Sequence, residues 1–284
     1  TMKKHLLVAA LIAFGTGLNA QIVAPKASPQ GKIEQKIGVT DVKVEYYRPM
    51  KNNRVVFGEV VPFNEIWRTG ANENTKFTCS DALVFGTDTL RAGTYALFTK
   101  PSASNWEIYF YTETSNWGLP ETWDASKVAL KTTVPTIALN DVVEVFTMNL
   151  DPVTSKMGQL SISWDKTRVT VPFAVPTTQK VLASIEKTMT GPSANDYFAA
   201  ADFYFKEKKD LQKAREWATK AVEMRGDDAY WMLRVKALIE AELGDYKAAI
   251  ETAKKGLAAA EKAKNAANIA LNKASIEEWS KKKK

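Results

Sequence analysis

At Val175-Pro176-Thr177-Thr178 the chain changes its period. Before this point apolar residues alternate with polar ones; after it they recur three and four positions apart. The switch reads as a β domain followed by a helical one, an α+β two-domain chain. Upstream, Val42, Val44 and Tyr46 alternate with Lys43, Glu45 and Tyr47. Pro49 ends that run, because it restricts Arg48 and cannot donate to a ladder. Phe77 to Phe85 reads as a strand pair or a bent strand, closed by a turn at Gly86-Thr87-Asp88. Thr94 to Thr99 and Trp106 to Tyr111 read as a hairpin, and Val142 to Leu150, Gln159 to Trp164 and Arg168 to Phe173 complete the series. Between them Thr112 to Lys131 reads as irregular chain around Trp117-Gly118-Leu119-Pro120 and Trp123. Many short strands with turns at close spacing predict an antiparallel β-sandwich, or a barrel-like sandwich, over residues 32–175.

Downstream, Thr177 or Thr178 is expected to cap a helix running into Val181, Leu182 and Ile185. Gly191-Pro192 breaks it, and Ser193 or Asn195 caps the next. Asp210-Leu211, Ala214, Trp217-Ala218 and Ala221-Val222 recur 35 residues later as Asp245-Tyr246, Ala249, Thr252-Ala253 and Gly256-Leu257. The small residues fall where two helices must approach closely, and Gly226 and Gly244 fall at turns. This period resembles tetratricopeptide repeats, although Lys209 and Arg225-Gly226 replace the usual glycine and proline of the first copy. Two copies are fewer than a free-standing stack needs. Residues 177–281 are therefore expected to lean on the β domain or to use Val181–Met189 and Ile269–Trp279 as caps.

The first twenty residues read as a secretory leader: Lys3, Lys4 and His5, an apolar run from Leu6 to Phe14, and cleavage after Ala20. Residues 21–31 follow as an extended lead-in. The expected address is the periplasm or the exterior of a Gram-negative envelope, with no membrane span. His5 is the only histidine, so the mature chain lacks one, which excludes histidine catalysis and histidine metal ligation. Cys79 is the only cysteine, read as a buried inert thiol. Neither a metal nor a cofactor is expected. Residues 21–176 hold 16 Lys/Arg and 16 Asp/Glu, and the excess positive charge lies in residues 177–284, ending in a lysine tail at 281–284. A solvated tail on a balanced chain does not read as a nucleic-acid binder.

The densest chemistry lies in Trp67-Arg68-Thr69-Gly70-Ala71-Asn72-Glu73. A strand interior does not favour Gly and Asn, so this is a folded-in loop. With Arg48, Arg54 and Trp117 it supplies the candidate ligand-binding set: Arg48, Arg54, Trp67, Arg68, Asn72, Glu73 and Trp117. On one reading Arg68 and Glu73 close the loop as a partly buried ion pair. On the other, the guanidiniums and tryptophans line a shallow pocket for an anionic or sugar ligand.

Tyr46-Tyr47-Arg48-Pro49, Arg54 with Phe57-Gly58, the Trp67–Glu73 motif, Ala92-Gly93-Thr94-Tyr95, Pro101, Trp117-Gly118 and Phe146-Thr147 occur in an order that resembles the bacterial family called domain of unknown function 2911. The resemblance covers roughly residues 25–175 and implies an exported protein with a helical tail, without an activity or cofactor. The leading functional expectation is a non-catalytic binding or scaffold protein of the envelope, docking a protein partner through residues 177–281. The alternatives are a carbohydrate-active hydrolase using Glu59, Glu65 or Glu73, or a sandwich that binds a small anionic or sugar ligand at the Trp67–Glu73 loop.

Overall fold

A computed structural model describes residues 25–282. The expected leader, the first four residues of the lead-in and the last two lysines lie outside the described residues. The chain divides after Val175 into two compact units.

The first unit contains β1 (Gln30–Ile37), β2 (Thr40–Tyr47), β3 (Thr75–Cys79), β4 (Leu83–Phe85), β5 (Asp88–Leu90), β6 (Gly93–Pro101), β7 (Asn105–Tyr111), β8 (Val128–Thr154) and β9 (Met157–Ala174). They form one antiparallel sheet in the order β1-β2-β3-β6-β7-β8-β9-β4-β5. The sheet doubles over through β8, whose first part pairs with β7 up to Pro135 and whose remainder, from Thr136, pairs with β9. The register slips between Ala138 and Val143 and again before Thr147, where the strand bends. Its ends then face each other across a common core. A Cβ on Gly158 of β9 would stand 2.4 Å from Ile37 Cδ1 of β1 and 3.1 Å from the Phe173 ring. The Tyr46 hydroxyl crosses the same interior, accepting from the Met148 N–H at 3.0 Å.

Three elements differ from the sequence reading. β1 begins at Gln30, inside the expected lead-in. Its inward positions include only Ile33 and Ile37 as large apolar residues, while Lys32, Glu34 and Lys36 face out, so alternation is faint. Those outward charges also suit an edge strand, where they discourage further pairing. Gln159–Trp164 and Arg168–Phe173 are one strand, and Val128 onward belongs to β8. The irregular chain is confined to residues 112–127, including a turn of 3-10 helix at Ala125–Lys127. That segment covers the outer face of β6 and β7. Trp123 lies 4.8 Å from the Tyr111 ring and edge-on to Phe98 and Tyr109. β6 and β7 are consequently buried on both faces.

The second unit holds α1 (Thr177–Thr188), α2 (Ala194–Lys206), α3 (Leu211–Arg225), α4 (Tyr230–Glu242), α5 (Tyr246–Lys262) and α6 (Ala266–Lys282). Neither Thr177 nor Thr178 caps α1, whose N-cap position is Pro176 without a side-chain bond. Ser193 caps α2 in a reciprocal box with Asp196. The 35-residue recurrence has a physical counterpart. Asp210 and Asp245 both accept from the backbone N–H three residues on, at 3.0 and 3.1 Å. Ala214, Ala218 and Ala221 are buried in α3 as Ala249, Ala253 and Gly256 are in α5. A Cβ on Gly256 would meet Leu233 Cβ at 3.4 Å, so the small residue sets how closely α4 and α5 pack. Ile185 and Met189 join the α2–α3 cluster, while Ile276 and Trp279 of α6 join the α4–α5 cluster. The two expected capping segments thus pack within the helical unit.

Candidate functional site

β3 begins only at Thr75, opposite Leu97, which leaves the far half of β6 without a neighbour on that side. Trp67 takes the place. Its N–H donates to the Thr99 carbonyl at 2.7 Å and its own carbonyl accepts from the Thr99 N–H at 3.0 Å. Three positive φ angles follow, +55° at Thr69, +150° at Gly70 and +55° at Asn72, and they coil the chain back on itself. The coil is braced from inside. Thr69 is fully buried, its hydroxyl 3.1 Å from that of Thr99, and the Thr75 hydroxyl donates to the Thr69 carbonyl at 2.7 Å. The indole N–H of Trp67 donates to the Gly70 carbonyl at 3.2 Å. Its ring stacks on Trp164 at 6.0 Å and meets Phe146 at 5.2 Å and Trp106 at 6.2 Å edge-on. The next residue, Asn74, is buried and donates to the Asn116 carbonyl at 2.8 Å, which pins the irregular segment to the motif.

The expected Arg68–Glu73 pair does not form. Arg68 Nη1 donates to the Asn72 carbonyl at 2.9 Å, and its guanidinium lies against Gly118, where a Cβ would stand 2.8 Å from Nη1. The turn at Asn72 sends Glu73 to the end of β2, where it accepts from the Tyr47 hydroxyl at 3.0 Å. Lys26 donates to the same hydroxyl at 3.0 Å and lies 3.8 Å from Glu73. The hydrogen bond to Tyr47, with Glu73 behind it, holds the Lys26 ammonium above its ordinary pKa.

A cleft of about 460 Å³ gathers four of the seven candidates: Arg54, Trp67, Arg68 and Asn72. Arg48 lies elsewhere, donating to the Phe146 carbonyl at 3.2 Å and the Thr147 hydroxyl at 3.1 Å, and so ties β2 to β8. Glu73 is held at Tyr47, and Trp117 is an exposed surface residue with Lys26 5.8 Å from its ring. The remaining wall comes from residues the sequence reading missed, among them Ser28, Met50, Asn52, Val60 and Trp164. Met50 and Val60 are exposed and form an apolar rim. No single stretch of sequence could have grouped them, since they lie on separate loops and on β9.

The cleft is cationic. Arg54 Nε donates to the Lys51 carbonyl and Nη2 to the Met50 carbonyl, at 3.0 and 2.6 Å. Among the described residues Arg54 Nη1 and Arg68 Nε and Nη2 have no hydrogen-bond partner, and no Asp or Glu lines the cleft. Glu59 and Glu65 are exposed outside it. The arrangement presents two guanidinium forks beside an indole, the donor set that binds carboxylate or phosphate oxygens. It presents no acid–base carboxylate pair of the kind that glycoside cleavage requires.

Cys79 is buried, with its thiol donating to the Arg91 carbonyl at 3.5 Å, and burial pushes its pKa up to about 11. At pH 8 about one thiol in a thousand is ionised on that value. Native protein is expected to resist iodoacetamide at pH 8 over hours, while urea-unfolded protein alkylates within minutes. Equally fast labelling of both would contradict this burial. Among the described residues no cluster of His, Cys, Asp and Glu is placed to hold a metal, and no helix is long and apolar enough to cross a membrane.

No curated protein and no solved structure matches the chain. The family model described as protein of unknown function, DUF2911, matches residues 28–173. That span takes in the folded-over sheet to within a residue of its end, together with Arg54, Trp67, Arg68 and Asn72, and by this match the chain belongs to the DUF2911 family.

Proposed function

We propose that this is an exported, non-catalytic binding protein of the bacterial envelope. Its β unit takes a small anionic ligand, and its helical unit is a tetratricopeptide-like stack that docks a protein partner. The ligand reading is carried by the charge of the cleft: two guanidiniums with unused N–H groups and no carboxylate on the wall. Its volume lies in the range of small-molecule sites. Trp67 offers an apolar ring edge, so a sugar acid or a dicarboxylate fits the donor set better than a bare inorganic anion. Export is supported by the leader pattern, and the absence of histidine beyond residue 5 supports a non-catalytic role. The repeat reading is supported by the matched caps at Asp210 and Asp245.

The test is calorimetry with glucuronate, galacturonate, citrate and succinate, with glucose as the neutral control. At least one acid is expected to bind and glucose is not. A charge-assisted hydrogen bond contributes about 1.5–3 kcal/mol, so Arg68→Ala should weaken binding roughly 10- to 100-fold. The melting temperature should fall by only a few degrees, since one bond to the Asn72 carbonyl is lost. Failure of every acid to bind, together with a large fall in melting temperature for Arg68→Ala, would make the arginine a brace and end the ligand reading.

A further inference from the structure

The helical unit contains a charge that its own fold leaves without a counter-ion. Arg234 sits half-buried on α4, and Nη1 donates to the Ser275 hydroxyl of α6 at 2.9 Å. Among the described residues no carboxylate lies within ion-pair distance of it. Its neighbours on the unit behave differently: Lys206 pairs with Asp202, Lys236 with Glu240 and Lys262 with Asp228. Burial alone presses the Arg234 guanidinium below its ordinary pKa, with no acidic group to hold it up. A charge withdrawn from water without a counter-charge is costly, and a leucine or methionine would join α4 to α6 at lower cost. A neutral hydroxyl answers only one of the five N–H groups.

The surroundings suggest what completes the site. Trp231, one turn before Arg234, is 37% exposed, and Leu271, one turn before Ser275 on α6, is 50% exposed. Residues three and four apart share a helix face, so a partly buried cation is flanked by two large apolar side chains across α4 and α6. Apart from the lysine tail at 281–284 the charges of residues 177–284 nearly balance, so the attraction for an acidic group at this face comes from Arg234 itself.

We propose that this α4–α6 face binds a peptide segment of a partner protein in which an Asp or Glu lies beside an apolar residue. The carboxylate seats on Arg234 and the apolar residue packs on Trp231 or Leu271. A free small anion would find one fork and no enclosure, whereas a peptide covers the flanking side chains as well. The proposal rests on the helical unit being a partner-docking stack.

The test uses the full chain and a random dodecamer display library, followed by anisotropy with fluorescein-labelled consensus peptides. Enriched sequences are expected to pair Asp or Glu with Leu, Phe or Trp. Arg234→Gln keeps a donor for Ser275 and should leave the melting temperature unchanged or higher. It should weaken the consensus peptide at least tenfold. Replacing the peptide's acid by its amide should cost the same in the native protein and nothing in the variant, the signature of a direct pair. Peptides that bind native protein and variant equally would overturn the Arg234 site and leave docking standing. No enrichment on either protein would overturn both.

Discussion

Replacing Trp67 with alanine is expected to lower the melting temperature of the β unit by roughly 10 °C. Truncating a core tryptophan costs about 3–5 kcal/mol, and in a domain of this size each kcal/mol moves the midpoint by about 2–4 °C. Trp67 is not fully buried, which argues for the lower end of that range. Its position argues against a still smaller effect. The ring lies among Phe57, Trp106, Phe146 and Trp164, so its loss leaves a void at the point where loop, β6, β7, β8 and β9 meet. Trp67→Phe keeps much of the ring contact and loses the hydrogen bond to the Gly70 carbonyl. Its expected cost is about 1–2 kcal/mol, from that bond and the smaller ring. Circular dichroism melts of both variants check the order. An alanine variant with an unchanged melt and lost acid binding would instead make Trp67 a ligand wall without a bracing role.

That ordering shows what sequence could and could not reveal about the motif. Its Gly and Asn were legible as turn residues, because each type has a narrow physical use, whereas its Trp reads as a candidate pocket wall and its packing among Trp106, Phe146 and Trp164 came only with the fold. The partner of Arg68 was not legible either. Opposite charges on one short loop suggest a pair, but the positive φ at Asn72 turns Glu73 toward Tyr47, and an asparagine marks a turn without fixing where the turn sends the next side chain. The same limit applies to the cleft. Arg54 and Asn72 were candidates by residue type, whereas Met50, Val60 and Trp164 join the wall only through tertiary folding. In the sheet, β2, β6 and β7 were visible because one face is continuously apolar. β1 was hidden because its exposed edge alternates Lys and Glu around two isoleucines, and β8 because its register slips break the period-two pattern.

Gly70→Ala is expected to cost about 2–4 kcal/mol, for two reasons. At φ +150° a side chain is strained wherever the space around it lies. The Cβ would also stand 2.9 Å from the Tyr47 carbonyl oxygen, a backbone atom that cannot rotate away. Gly86→Ala is the reference for strain without a clash. Gly86 has φ +61°, in the left-handed region where a side chain costs about 1 kcal/mol, and open space within 4 Å of its Cβ position. The difference between the variants, measured from urea midpoints at a common slope, therefore reports the clash with the end of β2 together with the greater strain at φ +150°. A difference of about 1–3 kcal/mol is expected, because Tyr47 is fixed on its other side by Lys26 and Glu73. If the loop shifts to relieve the contact, Arg68 moves with it. Anion binding should then weaken in Gly70→Ala and remain native in Gly86→Ala. Equal losses of stability in the two variants would mean that the β2 end yields freely, and that the coil from Trp67 to Glu73 does not owe its shape to that contact.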